Sequence, residues 1–221
     1  MIKYIIKKVN NISNKTIESN YLYLLNNKLN FVIINYKNIN YLLTKEKSFF
    51  EIDDLDKFLN NANKDIYYNT IICDNDNYLI DDLRIYYDYL NKYKKEFEEK
   101  YGNKYLFGCV AVKTISGNMI TNIRGKENLN EFTIVSNIDN NLIYACNKKA
   151  SLNAPLLYNL LKNDRIKSIV HINHKYDDRF IYLDYAFPGT FRDTNRPIDK
   201  SFNITNHGLF ILFDEEGKEI V

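Results

Sequence analysis

Three histidines are the residues of this 221-residue chain whose type and spacing could do chemistry. His171 and His174 end one short apolar run, and His207 comes just before another, Leu209–Phe213. Imidazole is the commonest protein ligand of zinc-like metals and the side chain most easily poised for proton transfer near neutral pH. The trio therefore indicates either a metal or proton-transfer site or three ordinary, hydrogen-bonded histidines.

The spacing of the first two histidines is awkward for a metal site on a strand. Residues i and i+2 of a strand share a face, whereas residues i and i+3 do not. The residue that shares a face with His171 is Asn173, and His174 comes one position later. Two alternatives stay open. A bulge near Asn173 would bring His174 to the site, or Asn173 would supply a weak oxygen ligand, which suits a harder metal than zinc.

The elements that must position these residues fall into two segments, 1–76 and 77–221. Over residues 14–73, helical periodicity alternates with apolar runs of strand length, which predicts a small α/β layer with parallel strands. The polar stretch Asp74–Asn77 is the candidate boundary between the segments. The second segment is predicted to begin with a long helix from about Leu79 to Tyr101, closed by Gly102.

After that helix, short strand-like runs separated by turns such as Asn140-Asn141 predict a β-meander. An amphipathic helix is predicted over Ser151–Leu161, with Pro155 in its first turns, where proline is tolerated. Strands are predicted at 166–172 and 209–213, and the loop 186–200 between them is long and irregular. These two strands carry the histidines, so their adjacency decides whether a site exists.

Composition narrows the class of protein. The chain is 45% hydrophobic and 26% charged with a net charge of +2, which is typical of a globular protein without an electrostatic footprint for nucleic acid. The three cysteines form no C-x-x-C pair, so free thiols in a reducing cytoplasm are expected. No apolar run approaches the roughly 20 residues that span a bilayer, and no signal peptide is evident. A cytoplasmic protein with no nucleic-acid or membrane partner is therefore expected.

Six fragments carry a resemblance that covers the chain from about Asp82 onward. They are Gly108–Lys113, Met119–Gly125, Asn130–Val135, Lys148–Leu157, Ile169–His174 and Ile204–Gly208. In this order they resemble the motifs of the class II aldolase/adducin family, which includes zinc-dependent fuculose-phosphate aldolases. The resemblance implies an α/β fold in which an α/β/α domain with a central, mainly antiparallel sheet follows a small degenerate Rossmann-like segment.

The resemblance also implies a site. In the family, three histidines hold a zinc ion that polarises a carbonyl, and a carboxylate moves the proton. The metal positions fall on His171 and His207, with His174 or Asn173 as the second ligand. The acid/base position falls on Asn153, an amide that does not exchange a proton near neutrality. The segments that bind substrate in the family fall on Gly108, Thr121, Asn122, Arg124, Gly125 and Ser151.

The long loop between the histidine strands offers one further candidate. Arg192 and Asp193 lie in it among glycine and proline, and long ordered loops beside a site often carry function. Arg192 is therefore a candidate for binding an anionic substrate, and the alternative is a solvated loop whose Pro and Gly only set turns.

Two functions follow from these expectations. The first is a divalent-metal-dependent lyase or isomerase, with zinc as the implied metal, acting on a small phosphorylated or carboxylated carbonyl compound. The second is a catalytically inactive oligomerisation or scaffold module, as adducin implies for this fold. A homo-oligomer, tetrameric by family resemblance, is expected under both.

A second resemblance concerns residues 1–75. Four fragments, Val9–Lys15, Phe31–Asn35, Phe50–Leu55 and Thr70–Asp74, follow in order those of phosphopantothenoylcysteine synthetase, whose Rossmann-like domain binds a nucleotide. The glycine-rich phosphate-binding segment has no match here, and without glycine a backbone cannot approach a pyrophosphate closely. The resemblance therefore implies a scaffold without nucleotide activity.

Overall fold

The computed structural model of this protein describes residues 2–45, 47–73, 79–101, 107–124 and 130–221. The chain divides into two compact units, Met1–Asp65 and Ile66–Val221. The predicted boundary at Asp74–Asn77 and the predicted helix cap Gly102 lie outside the described residues.

The smaller unit is a four-stranded sheet with two helices. Its elements are β1 (Tyr4–Lys8), α1 (Asn14–Asn26), β2 (Phe31–Tyr36), β3 (Ile39–Thr44), β4 (Phe49–Ile52) and α2 (Leu55–Lys64). The strand order is β1-β2-β3-β4. Ser13 and Asp54 cap the two helices by accepting hydrogen bonds from the backbone N–H groups of Thr16 and Lys57. These caps satisfy donors that helix geometry leaves without partners.

The prediction of an all-parallel layer in this unit is wrong beyond its first two strands. β1 and β2 are parallel and joined through α1, but β2–β3 and β3–β4 pair antiparallel. The cause is the connection between β2 and β3, which consists of two residues, Lys37 and Asn38, with φ of 50° and 66°. A two-residue connection with positive φ at both positions forms a hairpin, and parallel strands need a far longer crossover.

The larger unit contains the remaining elements. They are β5 (Asn69–Cys73), α3 (Ile80–Tyr101), β6 (Phe107–Lys113), β7 (Met119–Asn122), β8 (Phe132–Asp139), β9 (Leu142–Cys146), α4 (Ala154–Leu160), β10 (Ser168–Asn173), β11 (Tyr182–Leu183), α5 (Phe191–Thr194), β12 (Phe202–Ile204) and β13 (Gly208–Phe213). The strand order is β11-β12-β13-β10-β6-β7-β8-β9-β5. Since β5 pairs with β9, the first unit ends before β5, at Asp65, and not at the predicted residue 76.

The large sheet is mainly antiparallel, as predicted, and its two outermost pairs, β11–β12 and β5–β9, are parallel. Helix α3 packs on one face through Tyr86 and Leu90, which join a core with Val110 and Val170. Helix α4 covers the other face, where its leucines pack against the opposite side chains of the same strands. The predicted α/β/α layering is therefore present.

The part of the chain that the structure describes contains no helix that is both long enough and apolar enough to cross a membrane.

The β2–β3 hairpin generates a stability prediction. Replacing Lys37-Asn38 by Asn-Gly, the pair that this turn type favours, should raise the free energy of unfolding by about 1 kcal/mol, because a non-glycine residue with positive φ is strained. Urea denaturation of the wild type and the double variant measures the change. Asn38→Val is the opposing control, and its β-branched side chain should lower the stability by a similar amount. Equal midpoints for all three proteins would contradict the hairpin.

Candidate functional site

The histidines meet on one face of the large sheet. Strand β10 alternates regularly against β13, with His171 opposite Phe210 and Asn173 opposite Gly208. His171 and Asn173 therefore point to the same face of the sheet. This is the face covered by α4, since the neighbouring residue Ile169 belongs to the core that α4 completes. His207 lies in the turn that leads into β13, so the two predicted strands are neighbours.

The irregularity in this part of the sheet lies on the partner strand. Between β10 and β6, His171 pairs with Cys109 and Ile172 pairs with Phe107, so Gly108 is an extra residue. A side chain on Gly108 would overlap the His171 imidazole and would approach the His171 carbonyl oxygen to 2.7 Å. Gly108, predicted to bind substrate, is thus the bulge residue that leaves space for the ring.

The imidazole of His171 is fully enclosed by the fold. It is 0% exposed, and it stacks on Phe210 with ring centroids 4.1 Å apart. Its Nδ1 lies 3.1 Å from the carbonyl oxygen of Leu209, and its Nε2 lies 3.0 Å from Oδ1 of Asn173. The ring of His207, 1% exposed, meets it edge-on at 4.6 Å. His171 and His207 are therefore brought together as predicted, but both ring nitrogens of His171 have protein partners.

His174 does not join this pair. The strand ends at Asn173, and His174 adopts a left-handed conformation with φ of 53° that leaves its side chain exposed. Its backbone N–H donates to the carbonyl oxygen of His207. Among the described residues, no group of three His, Cys, Asp or Glu side chains is arranged to hold a metal ion. This corrects the predicted set of His171, His174 and His207. The donors present, two imidazoles and an amide, do not fit the zinc sites of that pattern.

The hydrogen bonds also constrain the charge of His171. Because a carbonyl oxygen only accepts, Nδ1 carries the proton that bonds Leu209. A second proton on Nε2 would place a positive charge on a ring that is 0% exposed, and burial makes such a charge costly. Burial therefore favours a neutral ring whose Nε2 accepts from the Asn173 amide nitrogen, with the amide turned accordingly. In that state the lone pair that a metal would need is already in a hydrogen bond.

Close to the histidines, the phenol of Tyr176 also stays neutral. Burial raises its pKa above the ordinary value, and a hydrogen bond with the backbone of Asn206 opposes that shift more weakly.

Two predicted substrate-binding residues serve the sheet instead. Thr121 is fully buried and donates through its hydroxyl to the carbonyl oxygen of Val110 at 2.8 Å. Asn122 is 4% exposed, and its Oδ1 accepts from the backbone N–H of Val110, also at 2.8 Å. The last registered pair between β6 and β7 is Ala111 with Thr121. The two side chains therefore continue the contact between these strands by one residue, to Val110.

The start of α4 lies beside these residues. The Ser151 N–H donates to the Asn122 carbonyl oxygen, and the Ser151 hydroxyl accepts from the Asn153 N–H at 3.3 Å. Arg124 is exposed and binds backbone oxygen of Ala150 through Nε. The predicted helix from Ser151 begins three residues later, because Ser151–Asn153 form the turn that leads into it. The sequence fragments thus converge as predicted.

Asn153 holds the position predicted for the acid/base residue. It is 6% exposed and makes no side-chain cap hydrogen bond to α4. Its Oδ1 is buried and has no hydrogen-bond partner within the described part of the chain. A buried acceptor of this kind is destabilised by about 1–3 kcal/mol unless a donor such as water or a ligand hydroxyl reaches it.

The remaining candidates lie apart from the histidines or outside the described residues. Gly125 is in the undescribed stretch 125–129. Arg192 is exposed on the short helix α5, which interrupts the predicted irregular loop. Its neighbour Asp193 is fully buried and pairs with Arg196 at 3.2 Å, so this charge holds the loop together.

Sequence reasoning missed Phe210 and Leu209, which hold His171 through stacking and through a carbonyl group. Both lie in the apolar run after His207, and nothing in their residue types indicates contact with an imidazole. The only available signal was the register of β10 against β13, which follows if the two runs form neighbouring antiparallel strands.

Two solved structures are similar in fold to part of this chain. YgbL from Escherichia coli, a candidate aldolase/epimerase/decarboxylase, matches with a TM-score of 0.46 and 15% identity over 59% of this chain and 79% of that one. An L-fuculose 1-phosphate aldolase matches with a TM-score of 0.43 and 14% identity over 58% and 74%. In fold, this chain resembles the class II aldolases. At these TM-scores and identities, the roles of residues in those two proteins do not transfer to residues of this chain.

The mixed α/β fold class predicted from the sequence is confirmed by the helices and sheets described above. No family model and no curated protein matches the sequence.

The bulge predicts a coupling between Gly108 and His171. Gly108→Ala should lower the free energy of unfolding by about 1–3 kcal/mol, because the added methyl group overlaps the ring. In a His171→Ala background the same change should cost clearly less, since the ring is gone. A double-mutant cycle in urea measures the difference. An equal cost in both backgrounds would mean that the ring does not depend on Gly108.

Proposed function

We propose that this chain is a catalytically inactive, class II aldolase-like module that acts through self-assembly. One observation carries the proposal: three of the polar side chains where the resemblance expects an active site, His171, Thr121 and Asn122, are engaged by the fold itself. His171 binds Leu209 and Asn173, and Thr121 and Asn122 bind the backbone of Val110. Groups committed to buried structural hydrogen bonds are not available to a substrate without breaking the sheet.

The proton-transfer machinery supports the same proposal. The acid/base position holds Asn153, and an amide neither gives nor takes a proton near neutral pH. Among the described residues, the fold brings neither a carboxylate nor a third imidazole to His171 and His207. A lyase or isomerase of the implied kind moves a proton through a carboxylate at the position of Asn153, and the amide there does not supply that step.

Self-assembly is supported by an exposed apolar edge on the larger unit. β5 is the last strand of the nine-stranded sheet, and its Ile71 and Ile72 are 39% and 45% exposed. Ile66, just before the strand, is 55% exposed. Residues Ile66–Tyr68 are bridged by Gly189–Phe191, whereas β5 itself is an edge strand. An edge strand offers backbone groups to another chain, and β-branched apolar residues on it favour such pairing. We propose a homo-oligomer in which β5 lies at the contact, with the tetramer as the expected size.

A second candidate function is the metal-dependent lyase or isomerase acting on a phosphorylated or carboxylated carbonyl compound. The observation in its favour is the contact of two buried imidazoles, His171 and His207, with Asn173 beside them. In this alternative a divalent ion harder than zinc takes Asn173 as an oxygen ligand.

Metal content separates the two candidates. We expect protein made without a His tag in medium rich in zinc and manganese to contain far less than one metal ion per chain. Asn173→His restores His-x-His spacing on one face, so this variant should gain about one zinc ion. Atomic emission spectrometry of the dialysed proteins measures both quantities.

Asn60→His is the matched control, since Asn60 is exposed on α2 in the smaller unit. It should leave the metal content unchanged. One metal ion per wild-type chain, lost in both Asn173→Ala and His207→Ala, would refute the inactive module and establish the second candidate.

Assembly through β5 predicts a change in particle mass. The wild type should sediment at about four times the chain mass of 26.2 kDa. Ile72→Lys should shift it to smaller species, because a charge on an edge strand opposes pairing. Ile80→Lys is the control, since Ile80 is 84% exposed on α3, which packs on β6 and β7 in the middle of the sheet. A monomeric wild type, or equal effects of the two substitutions, would contradict the proposal.

A further inference from the structure

A basic cavity in the smaller unit is separate from the histidine site. It has a volume of about 550 Å³ and lies between the end of β1 and the first two turns of α1. Three lysines line it, Lys7, Lys8 and Lys15, together with polar side chains of α1. A cavity of this size is in the range that holds a small ligand.

The positive charge of this cavity has no internal counterpart. None of its lining residues is acidic. None of the three lysines forms an ion pair with a carboxylate among the described residues, and Lys7 instead places its ammonium group 3.3 Å above the ring of Tyr23. The first turn of α1 also lacks the acidic residue that commonly balances the positive end of a helix. An anion is the ligand that relieves this accumulation of charge.

The wall of the cavity that α1 forms, with Thr16, Ser19 and Asn20, presents hydrogen-bond acceptors. The hydroxyl of Thr16 donates to Oδ1 of Asn11, and that of Ser19 donates to the carbonyl oxygen of Thr16. Each hydroxyl proton is therefore committed. Because Thr16 Oγ1 also accepts from the Ser13 hydroxyl, Oγ of Ser19 is the hydroxyl oxygen that keeps its acceptor capacity. A ligand that meets this wall must carry donors.

The strongest evidence for a ligand on this wall comes from Asn20. It is 5% exposed, and its amide nitrogen donates to the carbonyl oxygen of Thr16 at 2.8 Å, which fixes the orientation of the amide. No donor in the described part of the chain reaches its Oδ1. An amide oxygen that lines a cavity and has no donor from the protein can accept a hydrogen bond from the occupant of the cavity.

We propose that this cavity binds a small phosphate monoester that carries hydroxyl groups. The lysines hold the phosphate, and Asn20 with its neighbours accepts hydrogen bonds from the hydroxyls. Because the contacts come from side chains, the missing glycine-rich loop is no obstacle. The basic residues are confined to one open pocket of about 550 Å³, which suits a small molecule and not a nucleic-acid strand, since a strand needs an extended basic surface.

Calorimetric titration of the full-length protein at fixed ionic strength tests the site, with glycerol 3-phosphate as the probe. It should bind once per chain and more tightly than inorganic phosphate. The double variant K8Q/K15Q should bind about tenfold more weakly, since two charged contacts to the phosphate are lost. K57Q, which removes an exposed lysine of α2 outside the cavity, should bind like the wild type.

The role of Asn20 is tested by comparing the two probes in N20L. The preference for glycerol 3-phosphate over inorganic phosphate should disappear, because only the acceptor for the hydroxyl is removed. An unchanged preference would overturn the assignment of Asn20.

Wild-type affinity in K8Q/K15Q, or an equal loss in K57Q, would overturn the site, and so would tighter binding of a DNA oligonucleotide than of glycerol 3-phosphate. Both lysine substitutions are at exposed side chains, so these outcomes do not depend on whether N20L folds. Because the site belongs to the smaller unit, its failure would leave the metal and mass measurements on the larger unit unaffected.

Discussion

The imidazole of His171 fills a space that three strands of the large sheet leave for it. Gly108 of β6 gives it room, Phe210 of β13 stacks on it, and the carbonyl of Leu209 fixes its proton. The bulge at Gly108 shifts the register of β6 against β10. On the other side of β6, where its pairing with β7 ends, Thr121 and Asn122 bind the backbone of Val110 through their side chains. In the turn before α4, the Ser151 N–H donates to the carbonyl oxygen of Asn122, so the ring, the bulge and the start of α4 lie in one corner of the unit.

The same packing explains why the strand end does not build a metal site. Gly208 lies so close to β10 that a side chain there would overlap the carbonyl oxygen of Ile172. This tight antiparallel pairing keeps β10 regular up to Asn173, so the residue two places after His171 faces the same way. The chain then turns at His174, whose backbone N–H bonds His207. A bulge on β10 would turn the side chain of His174 toward the other two histidines. The extra residue is instead Gly108 on β6, where it leaves space for the ring of His171.

Much of the fold could be predicted from the sequence, because apolar runs and turn residues directly reflect burial and chain reversal. The long helix α3, the β-meander and the strands that carry His171 and His207 follow from such patterns. The β2–β3 hairpin was missed because Lys37-Asn38 lacks glycine, so its positive φ values are not evident from residue type. The location of the bulge was missed because register depends on how two distant strands pack, and no local pattern records that. Because asparagine is frequent throughout the chain, residue type alone did not distinguish the three that belong to the site, Asn122, Asn153 and Asn173.

These three asparagines give the site its chemical character. An amide both donates and accepts, so Asn122 can continue a backbone ladder and Asn173 can satisfy a neutral imidazole, whereas a carboxylate in either place would be a buried charge. The bond of Asn122 joins an amide to a backbone N–H, and neither group titrates near neutral pH, so this contact between β6 and β7 does not depend on pH. Asn153 differs, because its buried oxygen finds no donor in the described part of the chain. A water or a ligand hydroxyl can fill that role. The amide would then hold such a group in position without exchanging a proton with it, which is binding without the acid–base step that turnover requires.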